Sequence, residues 1–261
     1  MYQLLKTVYK GLIPKSLSSS LEDPIRWVVS LPFRGSKYHC PLCQTNLNRF
    51  VLLQDGHALC PRCGSLPRTR RLWFLIDRYL ADVGDSRKRI DILHFSPPKA
   101  LRRRIKQQIR QANHQISYQT SDVAGEFSAD LHIDLTNNKL ADQSFNLIIC
   151  YHILEHIDDD KTAIAELFRL LKPGGLAIIQ TPFHSQFGDA LELPHVITAA
   201  DRLKHSGQED HVRVYTVSTL QERLQAVGFS IVIKQAPEDF FDDAQRAQLK
   251  AEEFVIEAWK K

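Results

Sequence analysis

DQSFNLIICYHILEHIDDDKTAIAELFRLLKPGG, from Asp142 to Gly175, holds a strand, a helix and the approach to a second strand. After the turn residues Asp142-Gln143-Ser144, Phe145 to Cys150 run as an almost unbroken apolar segment. A strand that is apolar on both faces belongs in a parallel sheet covered by helices. Asp158 to Asp160 supply a cap and negative charge at a helix start. Ala163, Ile164, Leu167, Phe168 and Leu171 then recur on one helical face. Lys172-Pro173-Gly174-Gly175 is expected to end that helix, since proline cannot continue it and glycine accepts left-handed dihedrals. Leu176 to Gln180 follows as a second buried strand, which makes a strand–helix–strand unit with a right-handed crossover.

The same alternation extends outward. Arg89 to Phe95 reads as a first strand, with Ser96-Pro97-Pro98 capping and opening the next helix. Ala100, Leu101, Ile105 and Ile109 give that helix its buried side. Ile116 to Asp122 is a second strand, and Leu131 to Thr136 a short third. Ser218 to Gly228 is a helix closed by glycine, Phe229 to Lys234 a strand, and Phe254 to Trp259 a last strand expected to be antiparallel. The pattern predicts an α/β, doubly wound Rossmann-like sheet, mostly parallel, over 87–261. Ligands of such sheets lie outside the carboxyl ends of the strands.

A different pattern occupies the N-terminal third. Cys40-Pro-Leu-Cys43 and Cys60-Pro-Arg-Cys63 are two Cys-x-x-Cys turns, and they use four of the chain's five cysteines. Each turn delivers two thiolates to one side, the arrangement a tetrahedral zinc ion takes. Phe50 to Leu53 and His57 to Leu59 fit the short strands of a zinc ribbon over 37–66. Four cysteines leave no open coordination position, so the zinc is expected to be structural. Arg68 to Leu80 reads as a helix within a connecting segment, 67–86, with Leu72, Leu75, Ile76 and Leu80 as its apolar stripe. Residues 1–36 divide into an amphipathic segment (Tyr2, Leu5, Val8, Tyr9, Leu12), a polar linker at Ser16 to Ser20, and an apolar stretch with Trp27.

The 261 residues are 43% hydrophobic and 25% charged, ordinary for a globular protein. No apolar run reaches the roughly 20 residues a membrane-spanning helix needs, and no secretory leader is apparent, so a cytoplasmic location is expected. Net charge is a mild +4. The basic residues cluster at Arg62, Arg68, Arg70 and Arg71, and along Lys99, Arg102, Arg103, Arg104, Lys106 and Arg110. Two readings stay open for them: solvated helix faces, or a surface for RNA.

The segment Ser144 to Ile157 followed by Glu166 to Gly175 resembles the central block of class I S-adenosylmethionine-dependent methyltransferases, and the likeness runs from about Tyr38 to the C-terminus. It implies S-adenosylmethionine as cofactor, bound across the strand ends. Asp122, closing the second strand, would meet the ribose hydroxyls. Asp134, in Asp134-Leu-Thr, would lie near the adenine. His94 and Ser96 at the first strand, with Lys99, would face the methionine moiety, and Tyr151 would pack on the cofactor. Most relatives carry an acid and glycines after the first strand. This chain has Leu93-His-Phe-Ser-Pro-Pro-Lys99 and departs from them there. Gly207-Gln-Glu-Asp-His-Val-Arg-Val-Tyr215 is similar to a signature of a zinc-ribbon subfamily. His211, His152 and His156 are candidate catalytic bases, while Arg213, Tyr215 and His184 are candidate substrate contacts. The expected activity is O- or N-methylation of a small-molecule or saccharide-type acceptor. The alternatives are an RNA methyltransferase using the ribbon and basic helices, and a catalytically inactive binding protein of the same fold.

Overall fold

The computed structural model describes residues 15–83, 89–112, 115–123, 125, 129–183, 191–192, 198–206, 208–235, 241–250 and 253–261. The amphipathic segment expected around Tyr2 to Leu12 and the candidate His184 lie outside them. The chain divides into two units, one of residues 1–78 with 239–250 and the other of 79–238 with 251–261.

In the first unit, helix α1 (Lys15–Ser30) runs through Pro24 and covers the stretch expected as a linker. A 3-10 turn at Leu31–Phe33 leads into β1 (Arg34–Cys40), which pairs antiparallel with β2 (Thr45–Leu47). A second hairpin joins β3 (Val51–Leu52) to β4 (Ala58–Leu59), within the runs that sequence pattern marks as strands. Helix α2 (Pro67–Val83) then begins. Its Arg70 is fully buried and donates to the carbonyls of Ser65 (2.7 Å), Ala58 (2.9 Å) and Ala247 (2.6 Å). The guanidinium also lies 4.3 Å from the centroid of the Phe50 ring. One fixed fork of donors thus fastens the second hairpin, α2 and the 241–250 segment together. Arg71 is buried as well, so two of the four arginines read as an RNA surface are inside the protein.

The second unit is built on a six-stranded sheet. In chain order its elements are β5 (Ile90–Phe95), α3 (Lys99–Gln111), β6 (Ile116–Ser121), β7 (Phe145–Tyr151), α4 (Asp160–Leu170), β8 (Leu171–Gln180), β9 (Leu191–Glu192), α5 (Ala199–Ser206), β10 (Arg213–Val214), α6 (Val217–Val227), β11 (Ser230–Gln235) and β12 (Phe254–Trp259). Helix α7 (Phe241–Arg246) belongs to the first unit. The strand order is β11-β12-β8-β7-β5-β6, with β8, β7, β5 and β6 parallel and β12 antiparallel to both neighbours. Leu93 registers with Ile148, and Ile148 with Ala177, through fully buried residues. A leucine or isoleucine there contributes about 1.5–3 kcal/mol by leaving water. Leu167, Leu170 and Leu220 join that core from α4 and α6.

Three local expectations give way to stronger interactions. Helix α4 starts as expected, with Asp159 accepting from the Thr162 amide at 3.1 Å, but it stops at Leu170, before the proline. Lys172-Pro-Gly-Gly lies inside β8, because Gly174 and Gly175 form backbone bonds with Lys260 (2.7 and 3.0 Å). The short third strand shrinks to one bridge, Ser121 to Leu131. Asp134 explains the loss: its Oδ1 accepts from Thr136 N (2.8 Å) and Oγ1 (2.6 Å), an Asx turn that competes with a ladder. Ser96 does not cap α3; its hydroxyl goes elsewhere.

Candidate functional site

From β5 the chain crosses to β6 on one side, while β7 lies on the other, so the strand order reverses at β5. The crevice outside the carboxyl ends of β5 and β7 is where a doubly wound sheet holds ligands. Ser96, just past β5, has φ 45°, and His152, just past β7, has φ 58°. Left-handed backbone at a residue with a side chain costs on the order of 1–3 kcal/mol and tends to mark functional sites. Both distortions sit at this one edge.

The Ser96 hydroxyl donates to Asp122 Oδ1 at 2.7 Å, and the Ser96 amide to Ser121 O at 2.7 Å. Asp122 is 2% exposed at the end of β6. His94 is completely buried, with Nδ1 2.9 Å from the Tyr118 hydroxyl. Burial pushes its imidazole down to about 3, so it is neutral at physiological pH. It supports the strand beneath the loop and, being enclosed, does not reach a cofactor as expected. Pro97 and Pro98 carry no amide hydrogen, so the loop lacks the donors a glycine loop would present.

On the β7 side, Tyr151 is buried and meets the His152 ring edge-on, with centroids 5.6 Å apart. His152 Nδ1 lies 3.0 Å from Glu155 Oε1. A carboxylate only accepts, so Nδ1 carries the proton in this pair and Nε2 presents a lone pair. Glu155 is 1% exposed in a 3-10 turn, Leu154–His156. Its neighbour His156 packs edge-to-face on His211, with centroids 4.8 Å apart. His211 is buried, and desolvation lowers its basicity, opposed by the charge of Glu155. Among the described residues, His152 Nε2, Glu155 Oε2, Gln180 Oε1 and Thr181 Oγ1 are buried without a hydrogen-bond partner. Unmet polar atoms gathered at one edge suit a polar ligand better than a closed core.

Arg213 and Tyr215, expected at the acceptor, belong to the scaffold. Arg213 donates to the carbonyls of Leu154 (3.3 Å), Ile157 and Asp158 (2.6 Å). Tyr215 is fully buried and donates to Asp160, which also receives Arg223. Val212 N completes the staple by donating to Glu155 O at 2.9 Å. This stapling brings His211 beside Glu155 and His156. Asp134, expected near the adenine, is exposed and bound to its own turn. Sequence reasoning placed Glu155 with Tyr151, His152 and His156 beside the cofactor and acceptor but gave it no role, although a glutamate flanked by histidines three before and one after it was a visible signal.

In the first unit, the four cysteine sulfurs all lie within 4.8 Å of one another, and none is in a disulfide. Cys40 to Cys63 and Cys43 to Cys60 are each 3.7 Å. Tetrahedral zinc with Zn–S bonds of about 2.3 Å separates its sulfurs by roughly 3.8 Å, so the set fits zinc.

The family model described as "Methyltransferase domain" matches residues 69–234, well over half of the chain. A probable S-adenosylmethionine-dependent methyltransferase of Mycolicibacterium smegmatis is 26% identical over 100 residues, 38% of this chain. The match spans only about a third (34%) of that relative's length. Among solved structures, the CMeT domain of citrinin polyketide synthase aligns with TM-score 0.52 at 10% identity, over 73% of this chain and 52% of that one. The CurJ carbon methyltransferase aligns with TM-score 0.51 at 13% identity, over 74% and 54%. These likenesses establish a Rossmann-like methyltransferase fold.

Proposed function

The chain belongs to the methyltransferase domain family, class I and S-adenosylmethionine-dependent, and we propose that it methylates an oxygen or nitrogen of a small-molecule or saccharide-type acceptor. The observation that carries this reading is the Ser96–Asp122 pair at the switch point, a buried carboxylate held by a residue in left-handed conformation. Asp122 would hold the ribose hydroxyls, through the charge-assisted bonds that a carboxylate makes to paired hydroxyls. Tyr151 would flank the cofactor, and Asp134 would serve the adenine end. Ser96 and Lys99 would face the methionine carboxylate, in place of the amides that Pro97 and Pro98 lack. S-adenosylmethionine, when bound, supplies an electrophilic methyl group on its sulfonium.

The protein's part is alignment and, for a hydroxyl or amine, removal of a proton. His152 is the imidazole best arranged to take it. Glu155 fixes its tautomer, and Nε2, buried at the edge without a partner among the described residues, carries the lone pair. His156 and His211 line the same edge, while Arg213 and Tyr215 act by holding it in place. Cys40, Cys43, Cys60 and Cys63 would bind a structural zinc, completing a ribbon over 37–66 ahead of the connecting helix and the 87–261 domain. Reduced thiols in that arrangement support a cytoplasmic location. With Arg70 and Arg71 buried, the basic residues give less support to an RNA acceptor than to a small one.

Calorimetry with S-adenosylhomocysteine tests the reading. Wild type should bind in the micromolar range, and Asp122→Ala should weaken binding about 10–100-fold. No binding at high micromolar ligand would leave the fold as a non-catalytic binding module. Binding indifferent to Asp122 would put the ribose elsewhere.

A further inference from the structure

We propose that Glu155, His156 and His211 form a binding site for a divalent transition-metal cation at the carboxyl edge of the sheet. One carboxylate oxygen and one ring nitrogen from each histidine lie within 4.8 Å of one another. Two imidazoles and a carboxylate are the borderline N and O donors that zinc and iron(II) take, and three protein ligands leave positions open. Three ligands at about 2.1 Å from a tetrahedral ion stand roughly 3.4 Å apart, so modest side-chain rotation would close the set.

Glu155 supplies the observation independent of ligand geometry. It is 1% exposed, one oxygen is engaged by His152, and Oε2 is buried without a partner among the described residues. A buried carboxylate oxygen left unmet is costly, and a cation between it and two imidazoles removes that cost. The surroundings are those of a supported metal site. His156 Nδ1 lies 3.2 Å from Asp210 Oδ2 and 3.3 Å from its carbonyl, an outer-sphere orienter that leaves Nε2 for the ion. His152 orients the carboxylate in the same way. Val212 N on Glu155 O, with Arg213 on the carbonyls of Leu154, Ile157 and Asp158, locks the two ligand-bearing segments together.

The binding site stands without the methyl-transfer reading, but its chemical consequence rests on it. A cation here would take the acceptor oxygen as a further ligand and favour its ionised form. That selects acceptors with a hydroxyl able to approach the metal. His156 and His211 then serve as ligands, and His152 remains the imidazole for the proton.

The test is calorimetric titration of Zn2+ into the full chain, purified with its cysteine site loaded, together with metal content per chain after gel filtration. Wild type should take up one equivalent beyond the cysteine site. His156→Ala, a near-surface change, should weaken that uptake at least tenfold with an unaltered melting profile, and Glu155→Gln should do the same. Co2+ bound there should show ligand-field absorption without the thiolate charge-transfer bands of a cysteine site. No uptake beyond the cysteine site overturns the proposal, as does extra uptake that survives both substitutions. Metal uptake without S-adenosylhomocysteine binding would uphold this site and remove the methyl-transfer reading. The converse would remove only the site.

Discussion

Two groups of metal-type donors occur among the described residues, and they are assembled by opposite routes. The cysteine group comes from two short turns, each closing a Cys-x-x-Cys within four residues, and its sulfurs stand 3.7 Å apart in two pairs. The group at the sheet edge takes Glu155 and His156 from a turn after β7 and His211 from a loop before β10. The first needs only local geometry plus an ion. The second exists because a staple of backbone-directed bonds from Val212 and Arg213 brings distant segments into register. On the proposed zinc reading the first group would depend on metal for its fold, while the second would inherit its geometry from the staple.

The largest effect should come from breaking the first. Cys60→Ser should release zinc to a chromogenic chelator and cost several kcal/mol in the first unit, since small metal-bound modules draw most of their folding energy from the ion. Emission from Trp73, 2% exposed in that unit, should shift to the red. Proteolysis should begin within residues 34–66 while the sheet persists. Unchanged emission and protease resistance in strong chelator would show that the Arg70 fork, and not the metal, holds the unit.

The contrast also accounts for what could be read in advance. Asp142 to Gly175 and the paired cysteines were legible because apolar period and ligand spacing are local properties. A mostly parallel sheet with an antiparallel last strand was expected from the sequence, whereas the strand order is supplied by the structure alone. Arg213 shows where such reading stops: a loop arginine can aim at a substrate or at three carbonyls, and only the path of the chain after Leu154 decides. Arg70 and Arg71 were read as part of a solvated face or of a nucleic-acid surface, since composition cannot distinguish an arginine on the surface from one buried over Phe50. Ser96 fitted a helix cap by spacing, yet its carboxylate partner lies just past the neighbouring parallel strand.

A smaller effect should come from cutting the staple. Arg213→Ala leaves three carbonyls with a lost donor and should destabilise the sheet unit by about 3 kcal/mol, without unfolding it or releasing the cysteine-bound metal. The second metal equivalent should be lost along with it. Arg213→Lys, which keeps the charge but not the fork, should restore part of the stability and little of the metal uptake. Stability within about 0.5 kcal/mol of wild type would mean that the edge holds its shape without this residue.

The smallest effect is a matter of order. Ser96 combines left-handed backbone, which costs about 1 kcal/mol or more, with a hydroxyl bond to a buried carboxylate that is worth about as much. Ser96→Ala loses the bond and keeps the strain, so it should lose roughly 2 kcal/mol. Ser96→Gly also loses the bond but relieves the strain, against an unfolded-state entropy penalty of about 0.5–1 kcal/mol, and should lose slightly less, about 1.5 kcal/mol. Glycine should therefore be the more stable variant in chemical denaturation, the reverse of the usual ranking of these two residues. If alanine proves more stable, Ser96 is not held left-handed in solution.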